Sequence, residues 1–166
     1  MFLACQFSNL LNKQPIAHAK IIGSISHPNI SGWANFYQVK GGVLLVVEVS
    51  GLPCSNQPDA SSIFALHIHG GPQCSGTADD PFADAGTHYN PKQRPHPENA
   101  GDLPSLFGNQ GYAFMAVYTN RFSVDEIVNR TILIHASRDD FTTQPSGNSG
   151  KKIACGQIVR TNKVCP

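Results

Sequence analysis

The sequence predicts an all-β fold with long loops. Its 166 residues include 15 glycines and 12 prolines, and its apolar residues fall into many short runs. Short apolar runs separated by turn-forming residues are typical of strands rather than helices. The length suits one domain with its own core. We therefore assign residues 1–16 to an N-terminal lead-in and residues 17–166 to a single domain.

Seven strands follow from these runs, taken in chain order. They are rich in β-branched and aromatic side chains, and glycine, proline and asparagine separate them. The predicted strands are residues 17–25, 30–39, 43–49, 64–70, 112–118, 131–135 and 153–159. A tight hairpin at residues 40–42 joins the second strand to the third. Ser123, with Glu126 three residues later, predicts one short helical turn before the sixth strand.

Two long polar loops interrupt the strands, at residues 70–111 and 137–152. The first contains six prolines, which exclude regular structure over most of it. A loop of this length in a compact domain is usually functional or disordered. It also carries Cys74, His88, His96 and Asp102, a set of chemically useful side chains that argues against simple disorder.

The fourth predicted strand carries His67 and His69. Side chains two residues apart in a strand share a face, so both imidazoles lie on one surface while the residues between them turn into apolar packing. An isolated pair of this kind is more often two surface histidines. His88 and His135 also lie at or beside strand ends, and four neutral imidazoles make a good copper site.

Composition argues against several functional classes. Charged residues make up 14% of the chain and the formal net charge is +1, so no charge field favours nucleic acid. No apolar run approaches the ~20 residues of a membrane helix. The first residues lack a basic region and a cleavage site, which predicts a cytoplasmic location and leaves an extracytoplasmic one open. The five cysteines leave at least one without a partner in the chain.

Five segments, in order along the chain, together resemble the copper–zinc superoxide dismutase family. They are His67-Ile68-His69, Gly86-Thr87-His88-Tyr89-Asn90-Pro91, Ala100-Gly101-Asp102-Leu103, Thr131-Ile132-Leu133-Ile134-His135 with Asp139-Asp140, and Gly147-Asn148 to Ala154-Cys155-Gly156. The resemblance covers nearly all the chain from about Ala17 onward. It implies an eight-stranded Greek-key β-barrel or sandwich with two long functional loops.

The resemblance implies a copper-dependent superoxide dismutase, in which Cu(II)/Cu(I) cycling converts superoxide to oxygen and hydrogen peroxide. The alternative is a copper-binding relative that kept the fold and has weak or lost turnover. A third reading is a β-sandwich interaction module with incidental histidines. Family members are often dimers, so the resemblance also leaves a homodimer open.

The resemblance implies copper ligation by His67, His69, His88 and His135. His88 would also bridge to zinc and take a proton in the reduced form. His96 and Asp102 match further zinc ligands, against the alternative that His96 is a leftover loop histidine. Asn99 stands where the family has a third histidine, and asparagine is a poor zinc ligand. Zinc binding is therefore open.

Three further positions take roles from the resemblance. Asp139 would hydrogen-bond imidazoles of both metal sites and orient them. Cys74 and Cys155 would form the intrasubunit disulfide, against the alternative of two buried thiols. Lys152 stands where the family has an arginine. It keeps the positive charge that attracts superoxide but loses the planar fork, unless it is one of a solvated lysine pair with Lys151.

Overall fold

The computed structural model describes residues 14–54 and 62–162, and these form nine strands. The strands are β1 (Ala17–Gly23), β2 (Ser31–Val39), β3 (Gly42–Ser50), β4 (Ile63–Phe64), β5 (Leu66–His69), β6 (Leu106–Phe107), β7 (Ala113–Thr119), β8 (Thr131–His135) and β9 (Lys152–Arg160). Helical structure in these ranges is limited to α1 (Val124–Ile127) and a 3-10 turn (Ala83–Ala85). Neither segment has the length or apolar character to cross a membrane.

Seven strands form one antiparallel sheet in the order β5-β8-β9-β1-β2-β3-β7. The chain leaves β3 beside one edge, enters β5 at the opposite edge, returns to β7 and crosses again to β8. Such long crossings between antiparallel strands are typical of Greek-key folds. The all-β prediction is confirmed. The resemblance implied eight strands. The structure instead has seven strands in the sheet and a separate pair, β4 and β6, of two residues each.

The core lies against one face of the curled sheet and follows strand alternation. Leu66 and Ile68 on β5 are fully buried there, together with Ile132 and Ile134 on β8. Burying side chains of this size contributes about 1.5–3 kcal/mol each. The intervening residues, including His67 and His69, therefore lie on the opposite face.

The short connections agree with their sequence signals. Val39 pairs with Gly42 across a two-residue turn, and Gly41 has φ +82°, a conformation that glycine adopts without steric cost. Glu126 Oε2 accepts hydrogen bonds of 2.7 Å from both the backbone N–H and the hydroxyl of Ser123. The hairpin and the helical turn opened by Ser123 are both confirmed.

A disulfide joins Cys74 to Cys155 across a sequence separation of 81 residues, as the family resemblance implied. The two cysteines cluster with Phe82, Ala85 and Leu133, apart from the main core. The bond therefore anchors the start of the first long loop to β9. Cys54 is an exposed free thiol, whereas Cys5, Cys165 and most of the predicted lead-in lie outside the described residues.

Candidate metal centre

Strand β5 places the first two imidazoles and also draws in part of the proline-rich loop. β8 pairs with one edge of β5, and the loop bonds to the other edge: Tyr89 N donates to Ile68 O at 2.8 Å, and Ile68 N donates to Gly101 O at 2.9 Å. Isolated bridges thereby align His69 with His88 and His67 with Asp102. The free edge of β5 thus positions side chains from a segment without regular structure.

The fourth imidazole comes from the end of β8. The pairing of β8 with β9 shifts register between Ile134 and His135, and His135 N donates to Ala65 O at 3.0 Å. The His135 ring centre lies 4.9 Å from that of His67 and 5.5 Å from that of His69. The residues predicted as copper ligands from four separate sequence positions are therefore adjacent.

Two carboxylates orient two of the rings. His67 Nε2 donates to Asp139 Oδ2 at 2.8 Å, and His88 Nδ1 donates to Asp102 Oδ1 at 2.7 Å. Because a carboxylate only accepts, the bonded nitrogen carries the proton. The other nitrogen of each ring is left with a free lone pair.

Two backbone carbonyls orient the remaining rings in the same way. His69 Nδ1 donates to Gly86 O at 2.8 Å, and His135 Nδ1 donates to Gly150 O at 3.3 Å. Both carbonyls belong to the long loops that cover this face of the sheet. The loops therefore fix the tautomers of rings that the strands carry.

Each ring has one buried nitrogen without a hydrogen-bond partner. These atoms are His67 Nδ1, His69 Nε2, His88 Nε2 and His135 Nε2. One ligand atom from each of the four residues lies within 4.8 Å of the others. Buried polar atoms are nearly always paired, so four convergent lone pairs are a donor set suited to a transition-metal ion, copper among them.

Three of the four rings are kept neutral at pH 7. Burial lowers the pKa of His67, and it lowers the pKa of His69 to about 2 and that of His135 to about 3, with neighbouring imidazoles adding to the latter two shifts. A charged imidazolium cannot donate a lone pair, whereas a neutral ring binds a metal directly. Burial therefore keeps the lone pairs of these rings available to a metal ion.

Asp139 connects the copper-type cluster to the predicted zinc-type residues. Its Oδ2 binds His67, and its Oδ1 accepts from His96 Nε2 at 2.9 Å and from Phe141 N at 2.7 Å. Burial opposes ionisation of this carboxyl, but the three hydrogen bonds outweigh it and lower its pKa. The geometry agrees with the bridging contact that the resemblance implied for Asp139.

The second cluster contains His88, His96 and Asp102, whose ligand atoms lie within 4.8 Å of one another. His96 Nδ1 is buried and lies 3.1 Å from Asp102 Oδ2 without hydrogen-bond alignment. Asn99 contacts the same aspartate. Its backbone N and its side-chain amide donate to Asp102 at 3.0 and 3.2 Å. The residues therefore supply three of the four donors that structural zinc prefers, provided that His88 Nδ1 releases the proton that it donates to Asp102.

Lys152 lines a cavity of about 280 Å³ that also borders His69, His88 and His135. Its ammonium group is already bound, donating to Asp80 Oδ2 at 2.7 Å and to Phe82 O at 2.9 Å. The solvated lysine pair considered from the sequence is therefore wrong for Lys152, whose side chain is only 17% exposed.

Comparison with known proteins agrees with this geometry. Residues 30–158 match the family model for copper/zinc superoxide dismutase (SODC). The chain belongs to the copper/zinc superoxide dismutase family. It is 32% identical to a copper–zinc superoxide dismutase of Deinococcus radiodurans, over 90% of this chain and 87% of that protein. It is 31% identical to one from Aquifex aeolicus, over 86% and 85% of the two chains.

A solved structure supports the same assignment. The fold matches that of the copper/zinc superoxide dismutase from Brucella abortus with a TM-score of 0.70 and 26% identity. The match covers 85% of this chain and 98% of the other. The predicted family and its enzyme class, superoxide dismutase, are thereby confirmed, and the alternative of a copper-binding relative with weak or lost turnover is not favoured.

Sequence reasoning missed the groups that act through other residues. Gly86 and Gly150 contribute carbonyls, which no side-chain pattern reveals. Asp80 binds Lys152 from 72 positions away, and its only signal was a carboxylate in the loop after Cys74.

Proposed function

We propose that this chain disproportionates superoxide at one copper ion held by His67, His69, His88 and His135. The observation that carries the proposal is the set of four buried, unpaired and convergent imidazole nitrogens. Membership of the copper/zinc superoxide dismutase family supports the reaction. Bound copper would supply one-electron chemistry: one superoxide is oxidised to oxygen, and a second takes the electron and two protons to give hydrogen peroxide.

The protein's own groups prepare this reaction before any substrate arrives. Asp139 and the Gly86 carbonyl hold the rings of His67 and His69 in the tautomers that present their lone pairs. Such outer partners typically change metal affinity by about 10- to 100-fold. The cavity bordered by Lys152 gives a small anion access to three of the four rings. His88 holds its Nδ1 proton toward Asp102, which leaves Nε2 for copper.

We propose only weak zinc binding. His88, His96 and Asp102 offer three donors, and the Asn99 side-chain amide donates a hydrogen bond to Asp102 instead of adding a fourth. Zinc prefers sulfur, imidazole and carboxylate ligands. The reaction is therefore assigned to the copper cluster, and no step depends on zinc. A homodimer and a cytoplasmic location stay predictions.

Copper loading of a single-histidine variant tests the main proposal. We expect His135→Ala to lose stoichiometric copper and to reduce superoxide turnover by at least about 100-fold, since it removes one of four ligands. His18→Ala is the matched control, because His18 bonds Thr161 and its ring centre lies 5.6 Å from that of Trp33, away from the cluster. Stoichiometric copper with negligible turnover in the wild type would support the copper-binding alternative. Undiminished turnover in His135→Ala would contradict the ligand assignment.

Elemental analysis tests the zinc proposal separately. Asn99→His adds the missing imidazole and should raise zinc content from substoichiometric toward one per chain. Asn109→His is the matched control, because Asn109 is exposed and bonds within its own turn to Phe107 and Tyr112, and it should leave zinc content unchanged. Full zinc occupancy in the wild type would refute the proposal without affecting the copper assignment.

A further inference from the structure

We call the cavity beside the four-histidine cluster the copper pocket. Lys152 places a positive charge at this pocket, and the carboxylate of Asp80 compensates that charge. Lys152 begins β9, three residues before the disulfide, and lines the cavity shared with His69, His88 and His135. Its ammonium group lies 2.7 Å from Asp80 Oδ2. The lysine and the aspartate together carry no net charge, so a distant anion experiences little of the attraction that a free lysine would supply.

The carboxylate of Asp80 is itself held in position. Its Oδ1 accepts from Phe82 N at 3.2 Å, while its own backbone N donates to Thr77 Oγ1 at 3.1 Å. Its backbone carbonyl accepts from Thr77 N at 2.9 Å and from Ala83 N at 3.1 Å. This turn lies between Cys74 of the disulfide and the half of the loop that contacts β5. Hydrogen bonds therefore hold the turn that carries Asp80, and this turn determines the position of the Lys152 ammonium group.

We propose that Asp80 is a positioning residue of the copper pocket, which holds the Lys152 ammonium in place and cancels its long-range attraction for superoxide. The inference rests on the copper assignment proposed above. It makes the Asp80–Lys152 pair, rather than Lys152 alone, the element that sets how fast an anion arrives. Removing the carboxylate charge releases a net positive charge at the pocket, and removing the lysine leaves a net negative one.

The test is a charge cycle on the copper-loaded protein. The variants are Asp80→Asn, Lys152→Gln and the double variant, which carry net charges of +1, −1 and 0 at the pair. The second-order rate constant for superoxide is measured by stopped flow between about 0.01 M and about 0.15 M ionic strength, where the Debye length falls from about 30 Å to about 8 Å. Azide affinity, followed by the Cu(II) absorption band, gives a readout independent of turnover.

We expect the second-order rate constant of Asp80→Asn to exceed that of the wild type by about two- to fivefold at low ionic strength, since one uncompensated positive charge attracts the approaching anion. The double variant should resemble the wild type, and Lys152→Gln should fall below both. The Asp80→Asn advantage should shrink at the higher ionic strength. Azide affinity should follow the same order. If the pair had a structural role alone, every variant would have a lower rate constant than the wild type, and the double variant would not recover the wild-type value.

Asp79→Asn is the matched control, because it removes the same charge one position away on an exposed side chain that does not bind Lys152. It should change the rate far less than Asp80→Asn. The inference is overturned if Asp80→Asn equals or falls below the wild type, if Lys152→Gln and the double variant coincide, or if Asp79→Asn has the same effect. Failure of the copper assignment is recognised separately, by absent copper or absent wild-type turnover.

Discussion

Reducing the disulfide should remove a large part of the stability of the metal-free protein. Cys74 and Cys155 close a loop with a sequence separation of 81 residues. Loop-closure entropy for a crosslink of this span corresponds to about 4.5 kcal/mol of unfolding free energy at 25 °C. Cys155 is only 2% exposed and belongs to a buried cluster with Leu133 and Phe82, and we expect these contacts to persist on reduction. The loss therefore comes mainly from the freedom that the unfolded chain gains.

Urea unfolding followed by circular dichroism, with and without reductant, measures this difference. Metal-free protein is required, since bound copper would add its own binding energy to the folded state. Cys74→Ala is the control: it should match the reduced wild type and show no response to reductant. A reductant effect below about 1 kcal/mol would refute the loop-closure account. An equal response in Cys74→Ala would trace the effect to other cysteines.

Two further predictions concern the groups around the site. Gly147 has φ +65°, and an added Cβ would overlap Asp139 Oδ1, so Gly147→Ala should cost about 2–4 kcal/mol in urea unfolding and weaken copper binding. Gly41→Ala, with φ +82° and only the Tyr118 hydroxyl near the added Cβ, at 3.3 Å, should cost only about 1 kcal/mol; equal losses would exclude the overlap as the cause. Burial opposes ionisation of Asp80, but hydrogen bonds from Lys152 and Phe82 outweigh it and lower the pKa of Asp80 below 3.8. The ion pair is thus intact above that pH and is lost only as pH falls through the lowered value, so the rate ratio of Asp80→Asn to wild type should stay constant from pH 9 to about 5. A ratio that changes across this range would contradict the persistent pair.

Strand periodicity alone predicted the placement of two of the four histidines in the cluster. His67 and His69 had to share a face, with Leu66 and Ile68 opposite, because side chains alternate along any strand. The structure has this arrangement, with the two apolar residues in the core. The hairpin at Gly41 and the helical turn at Ser123 were equally local, since turn and cap chemistry depends on neighbouring residues.

The rest of the site depends on contacts between distant segments. Prolines predicted an irregular loop, but only the free edge of β5 explains why His88 and Asp102 arrive beside its histidines. The family resemblance gave the Cys74–Cys155 pairing and the Asp139 contact; local pattern alone left both open.

The amino-acid sequence alone therefore determined the all-β fold, the placement of His67 and His69 on one face, and the residue types of a metal site. Tertiary structure decided which nitrogen of each ring is free, because the acceptors that hold the other nitrogen belong to remote loops. It also decided that Lys152 is paired rather than free, because the distance from a lysine to a carboxylate 72 positions away exists only in the folded chain.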